Sequence, residues 1–149
     1  MEETKQKHSE EALAEIYRNC QLALQSISNI LPEVEEEKMR TEILMQHEEY
    51  EKISGKAAAL AKDKGIELKE PGAMKKMIMW GSIKMNALKD NTTPHIAEMM
   101  LQGTLMGITA VRKTMSELPP DYDCEDIKGL LGDLLEMEER FEKRLKEYL

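Results

Sequence analysis

The chain has 149 residues, of which 29 are acidic and 21 are Lys or Arg, so its formal net charge at pH 7 is −8. This acidity argues against a nucleic-acid partner and against an anionic membrane surface, because both bind clustered Lys and Arg. No apolar run approaches the roughly 20 residues that a membrane-spanning helix needs, and the first residues lack the apolar core of a signal peptide. We therefore expect a cytoplasmic protein.

The composition favours an all-α protein with one domain. Glu, Lys, Leu, Ala and Met are frequent, β-branched residues are few and aromatic residues make up 4% of the chain, which is typical of helical proteins. A chain of this length can bury a core of its own. We expect residues 1–8 to be a disordered tail and residues 9–149 to form a single helical-bundle domain. Cys20 and Cys124 have no metal-binding or CxxC spacing, so we expect them to be reduced thiols.

Two long amphipathic helices are predicted in the first half of the chain. In the first, apolar residues recur at three- and four-residue steps over residues 13–31, a spacing that places them on one helix face, and Pro32 ends it. The second is predicted over residues 33–64, because acidic residues begin it and basic residues precede the glycine that ends it. Gln46 interrupts its apolar stripe at mid-helix, and His47 lies beside Gln46.

The third and fourth predicted helices are rich in apolar residues. The third is predicted over residues 73–88, and its apolar residues spread over more than one face, so we expect it to contact two neighbours or another chain. The fourth is predicted over residues 93–118, with Pro94 in its first turn, where no backbone N–H is needed. Gly103 and Gly107 each cost a helix interior on the order of 1 kcal/mol against alanine. We therefore expect a neighbouring helix or a ligand to approach this helix closely.

The fifth predicted helix follows Pro119 and Pro120, which end the fourth, and Asp123 is its expected cap. One face of this helix comprises Ile127, Leu130, Leu131, Leu134, Glu138, Phe141, Leu145 and Tyr148. Glu138 is the only charged residue in that stripe, and a buried carboxylate without a partner is costly. We expect it to form hydrogen bonds with Gln46 or Tyr50, or to open to solvent.

Two architectures are compatible with five helices and short connectors. One is a simple up-and-down bundle. The other is an antiparallel four-helix bundle in which the third helix is the crossover that carries the chain back along the bundle. In that arrangement the first two helices form one antiparallel hairpin, the last two form another, and the second and fourth helices are parallel.

Two stretches of the fourth helix, Thr93-Pro94-His95-Ile96-Ala97-Glu98-Met99-Met100 and Gly103-Thr104-Leu105-Met106-Gly107-Ile108, resemble small ferritin-like proteins of clostridia and their relatives. The ending of the chain, residues 138–149, is similar to theirs as well, so the resemblance covers nearly the whole chain. It implies an all-α fold: a ferritin-like antiparallel four-helix bundle with an additional crossover helix, five helices in all.

The resemblance raises the question of a di-metal site. Ferritin-like di-iron proteins use a Glu from each of two helices and Glu-x-x-His from each of the other two, since carboxylates and imidazoles complete the coordination of two iron ions. This chain departs from that pattern, because Leu44 stands three residues before His47, and the fifth helix carries Arg140 but no His. The sequence therefore lacks the full di-iron set.

A smaller set of ligands could still meet in the core. The residues of this predicted degenerate metal site, for iron or manganese, are His47, Glu49, Glu98 and Glu138. We favour the interpretation in which Glu138 and Gln46 are hydrogen-bonded structural residues and no metal or other cofactor is bound.

Methionine is concentrated in the third and fourth predicted helices. Thioethers suit Cu(I), and Met74, Met77 and Met85 would carry such a copper site. Met is also an adaptable filler of cores and interfaces, which is the interpretation that we favour here. Together with Trp80, these residues predict a homodimer formed through the Met- and Trp-rich third helix and the fourth helix.

Sequence motifs for catalysis are missing. We find no Gly-rich phosphate loop, no CxxC and no Ser or Cys in a nucleophile motif with a histidine. The sequence therefore predicts a non-catalytic structural or interaction protein that homodimerises. The alternative is a ferritin-like protein that binds iron or manganese at the degenerate core site.

Overall fold

A computed structural model describes residues 2–69 and 90–149, and these residues are helical with no β-strand among them. Four α-helices follow one another along the described chain: α1 (Glu2–Ile30), α2 (Glu37–Asp63), α3 (Thr93–Glu117) and α4 (Glu125–Lys146), with a 3-10 turn at Leu31–Glu33 after α1. The predicted all-α class is confirmed for these residues. The third predicted helix, over residues 73–88, lies outside the described residues, as do Met74, Met77, Trp80 and Met85.

The first helix is longer than the sequence predicts. It begins at Glu2 and so includes most of the stretch that we expected to be a tail. Two contacts fix its first turns against the residues that follow α3. Lys5 pairs with the Asp123 carboxylate at 2.7 Å, and the Ser9 and Tyr122 hydroxyls hydrogen-bond at 2.7 Å.

The second helix begins later than predicted, at Glu37 instead of Glu33. Pro32 lies in the first turn of the 3-10 segment, and Val34 follows it with an extended backbone. The Val34 side chain is buried in the core, and its carbonyl accepts a hydrogen bond from Arg40 at 2.6 Å. Because Val34 is held this way, the acidic residues before Glu37 lie outside the helix.

The contacts at the two ends of the bundle give the directions of the helices. The starts of α2 and α3 lie together, since the Thr93 hydroxyl donates to the Glu36 carboxylate at 3.0 Å. Lys5, near the start of α1, pairs with Asp123, which follows the end of α3. Thus α1 runs antiparallel to α3, whereas α2 and α3 are parallel. The chain between them joins opposite ends of the bundle.

The four described helices enclose one hydrophobic core. α1 packs on α2 and α3, α4 packs on the same two helices, and α1 and α4 also touch across the centre. The largest fully buried apolar side chains are Leu13, Ile16, Ile30, Met39, Ile43, Ile96, Ile127, Leu131, Leu134, Phe141 and Leu145. Among the helices described, none has the length and apolarity needed to cross a membrane.

Candidate functional site: a buried carboxylate

Glu138 lies inside the bundle. It is 1% exposed, because the spacing from Leu134 through Glu138 to Phe141 places all three side chains on the inward face of α4. Phe141, one turn further along, packs its ring against Tyr50 of α2 with the centroids 5.6 Å apart. The carboxylate that interrupts the apolar stripe in the sequence is therefore a core residue.

Two side chains, one from α1 and one from α2, donate hydrogen bonds to this carboxylate. The Tyr50 hydroxyl of α2 donates to Oε2 at 2.8 Å, and Nδ2 of Asn19, on α1, donates to Oε1 at 3.3 Å. Both donors are buried, Tyr50 to 3% exposure and Asn19 to 8%. Tyr50 is one of the two partners expected from the sequence, and its hydrogen bond is confirmed.

The fourth member of this cluster is the backbone of α3. Asn19 Nδ2 also donates to the carbonyl of Gly107 at 3.2 Å. A Cβ atom built on Gly107 would overlap the Glu138 carboxylate, with Cδ at 3.0 Å, and would lie 3.1 Å from Asn19 Oδ1. The close approach expected at this glycine is confirmed. At Gly103, by contrast, no described atom other than the adjacent backbone of the same helix and the two neighbouring residues lies within 4 Å of such a Cβ.

We call Asn19, Tyr50, Gly107 and Glu138 the polar layer, since each of the four described helices contributes one of them. Burial raises the pKa of Glu138 from its ordinary 4.5 to about 7, and the hydrogen bonds from Tyr50 and Asn19 lessen the rise. A carboxylate held by donors that stay in place can exchange a proton near neutral pH without leaving the core.

The same burial acts on two neighbouring groups. Burial, and to a lesser extent the Glu138 charge, raises the pKa of the Tyr50 hydroxyl well above its ordinary value. Burial and the Glu138 charge, in that order, also raise the pKa of the Cys20 thiol. Since the thiolate is the reactive form of cysteine, Cys20 is a protonated core residue and a poor nucleophile.

The predicted metal ligands do not form a metal site in the described structure. His47 Nδ1 lies 2.9 Å from the Glu51 carboxylate, and Glu49 pairs with Arg140 at 3.3 Å. Glu98 is exposed on α3, so only Glu138 of the four is a core residue. Within residues 2–69 and 90–149, no group of three or more His, Cys, Asp or Glu residues could hold a metal ion.

Gln46 belongs to a second polar cluster. Its side chain is buried, and its Nε2 donates to the Glu42 carboxylate at 3.0 Å. Arg144 of α4 lies 3.9 Å from that same carboxylate and donates to the Met45 sulfur at 3.4 Å. Gln46 is thus satisfied within α2, and the expected hydrogen bond between Gln46 and Glu138 is replaced by Gln46–Glu42.

Asn19 is the member of the polar layer that the sequence analysis missed. It lies between Ile16 and Cys20, both core residues of α1, so helical spacing places it at the edge of the inward face. A polar amide there could have been paired with Glu138 as a candidate partner.

Comparisons with family models, with curated proteins and with solved structures give no match for this chain.

Proposed function

We propose that this protein is a non-catalytic interaction protein, a ferritin-like helical bundle that homodimerises, in which the inward carboxylate is a hydrogen-bonded structural residue. One observation carries the proposal: Glu138 receives hydrogen bonds from Tyr50 at 2.8 Å and from Asn19 at 3.3 Å. A carboxylate engaged by two donors of the fold is satisfied without a metal ion.

The ferritin-like part of the proposal rests on the helix directions. The parallel arrangement of α2 and α3 requires a connection between opposite ends of the bundle, as ferritin-like folds have. α2 has 27 residues and is therefore about 40 Å long at ~1.5 Å per residue. A crossover helix over residues 73–88 would span about 24 Å of that length.

The homodimer is supported by apolar side chains that α3 leaves exposed. Leu105 is 42% exposed and Met106 is 69% exposed, in the middle of the helix. Two adjacent apolar side chains in this position suit a protein–protein contact better than a solvated helix face. A binding role for the surface and a structural role for the core are compatible in one small bundle.

The alternative, an iron- or manganese-binding protein, draws on the same carboxylate. Glu138 is an inward acidic group with a pKa of about 7, and ferritin-like metal sites are built from inward carboxylates. A ligand role would require His47, Glu49 or Glu98 to exchange its present surroundings for the core.

Metal loading separates the two functions. The protein would be loaded anaerobically with Fe(II), and separately with Mn(II), desalted and analysed for bound metal. Glu138→Leu and His47→Ala would be measured in parallel, with Glu139→Gln as the control because Glu139 is the exposed neighbour of Glu138. We expect no stoichiometric metal in any of them, and a Glu138→Leu variant at least as stable at pH 8 as the original protein, because apolar packing replaces a buried charge.

Near-stoichiometric metal in the original protein that disappears in Glu138→Leu and His47→Ala, but not in Glu139→Gln, would overturn the non-catalytic proposal. A protein that remains monomeric at high concentration in light scattering would overturn the homodimer.

A further inference from the structure

The outward side of α3 combines apolar and charged residues in a definite order. The residues of this outer face are Glu98, Gln102, Leu105, Met106, Thr109 and Lys113, all exposed. They recur at three- and four-residue steps, so they lie along one side of the helix. The inward side of the same helix carries its buried residues, Ile96, Ala97, Met100, Thr104, Ile108 and Val111. The outer face is thus opposite the side that packs on α1 and α4.

The residue types along this face are complementary to the same residue types read in the opposite direction. Counting outward from a point between Leu105 and Met106, Glu98 corresponds to Lys113, and Gln102 corresponds to Thr109. In an isologous contact, residue i of one copy meets residue j of the other, and j meets i. An antiparallel pair of α3 helices centred on that point would therefore place acid against base, amide against hydroxyl, and Leu105 against Met106.

We propose that α3 pairs with α3 of a second copy through this outer face, antiparallel, about a twofold axis that passes between Leu105 and Met106. The inference rests on the homodimer proposed above and adds its interface. A second copy is the occupant because the two ends of the face carry opposite charges at matched distances from its centre, so the surface fits its own reverse.

The charges at both ends are available for such a contact. No residue in the described part of the chain forms an ion pair with Glu98, and the nearest carboxylate to Lys113 is that of Glu117, at 4.0 Å within the same helix. Both side chains of the Lys113–Glu117 pair are largely exposed, and ion pairs at exposed positions contribute little to stability. Glu98 and Lys113 can therefore pair across the twofold axis without breaking a strong existing contact.

The polar pair fits the same geometry. The Thr109 hydroxyl donates to the Leu105 carbonyl at 2.9 Å, which leaves its oxygen lone pairs as acceptors. The Gln102 amide of the other copy can donate to that oxygen. The contact then has an apolar centre, a hydrogen bond on either side and an ion pair at each end, which is the usual order of core and rim in a protein interface.

The first experiment measures the dimer dissociation constant by sedimentation equilibrium for the original protein, for Met106→Glu and for Met115→Glu. Met115 is an exposed methionine of α3 outside the outer face, so it is the matched control. We expect a dimer for the original protein and for Met115→Glu, and a monomer with unchanged helix content for Met106→Glu.

The second experiment tests the register through charge reversal. Glu98→Lys and Lys113→Glu each place like charges together twice in the symmetric dimer, so each should raise the dissociation constant roughly tenfold at low salt. The double variant restores opposite charges and should return the constant close to its original value. Lys52→Glu, on the exposed side of α2, is the control and should leave the constant unchanged.

Each adverse result has a distinct meaning. A monomeric original protein overturns the homodimer itself, and the interface with it. A dimer that persists in Met106→Glu overturns the interface alone and leaves the homodimer standing. If Met106→Glu lowers the melting temperature without changing the oligomeric state, another part of the chain covers the outer face, and the interface is likewise overturned. Charge reversals that both weaken the dimer, without rescue in the double variant, overturn the register.

Discussion

Glu138 makes the stability of the fold depend on pH in a direction opposite to that of most acidic residues. Its pKa is about 7 in the folded protein against an ordinary 4.5, so between these values the folded state holds a proton that the unfolded chain has lost. The folded state therefore binds more protons, and the free energy of unfolding falls as the pH rises through this window. The fall amounts to about 3 kcal/mol, at ~1.4 kcal/mol per pH unit.

The test is urea unfolding at pH 5 and pH 8 for the original protein and for Glu138→Gln. The amide cannot ionise, and its oxygen can still accept from Tyr50. We expect the difference in unfolding free energy between the two proteins to shift by about 2–3 kcal/mol in favour of the variant between pH 5 and pH 8, because part of the change already occurs below pH 5. All other titrating groups are common to both proteins, so a difference that stays constant with pH would contradict a buried, titrating Glu138.

At the residue scale, the sequence marks Glu138 as a charge within an apolar stripe, but it leaves open whether the side chain faces the core and identifies only part of its surroundings. A single charge in a regular apolar stripe is visible in the sequence, and Tyr50 lies on the inward face of the second helix. Asn19 is recognisable in the sequence only as a candidate polar group at the edge of the inward face of α1, because its contact with Glu138 depends on how far α1 is rotated against α4. That rotation is set by core packing and leaves no local pattern in the chain.

At the scale of the helix, we predict that substitution by alanine has opposite effects on the free energy of unfolding at the two glycines of α3. Gly107→Ala places a methyl group against the Glu138 carboxylate and Asn19, and these side chains cannot withdraw without losing their hydrogen bonds. We expect it to lower the free energy of unfolding by about 1–3 kcal/mol. Gly103→Ala meets no described atom within 4 Å beyond the adjacent backbone of the same helix and the two neighbouring residues, and it should raise that free energy by up to about 1 kcal/mol through helix propensity.

Thermal and urea unfolding of the two alanine variants would measure this pair directly, and each variant is the control for the other. If both variants gain a similar amount of unfolding free energy, the Glu138 carboxylate moves aside for the methyl group added at Gly107. Losses in both would mean that a neighbour also approaches α3 closely at Gly103.

Helix ends were predicted unevenly, and the reasons are local. The two ends of α3 are set by Pro94 in its first turn and by Pro119 just past its end, because proline lacks an N–H and restricts the backbone. The helix spans Thr93–Glu117, as these residues indicate. At α2 the acidic run suggested a start at Glu33, but the burial of Val34 overrides it. Such a tertiary contact does not appear in helix propensities or in charge patterns.

At the scale of the whole molecule, the sequence predicts four of the described elements and leaves their directions open between two architectures. Helical periodicity is the same whichever way a helix points, so it cannot distinguish an up-and-down bundle from one with a crossover. The contacts of Thr93 with Glu36 and of Lys5 with Asp123 fix the directions. Both pairs join residues far apart in the sequence, and no single-sequence pattern links them.

The polar layer also has a consequence for how the bundle opens. Its carboxylate belongs to the α3–α4 hairpin and both donors belong to the α1–α2 hairpin, so separating the hairpins would break both hydrogen bonds together and expose the single apolar core that the two hairpins share. Neither hairpin can open as an independent unit at low cost. In native-state hydrogen exchange at pH 8, the slowest amides of the two hairpins should share one opening free energy, equal to that of global unfolding. A hairpin that exchanges through a distinctly cheaper opening would show that the bundle is two cooperative units joined by their apolar faces alone.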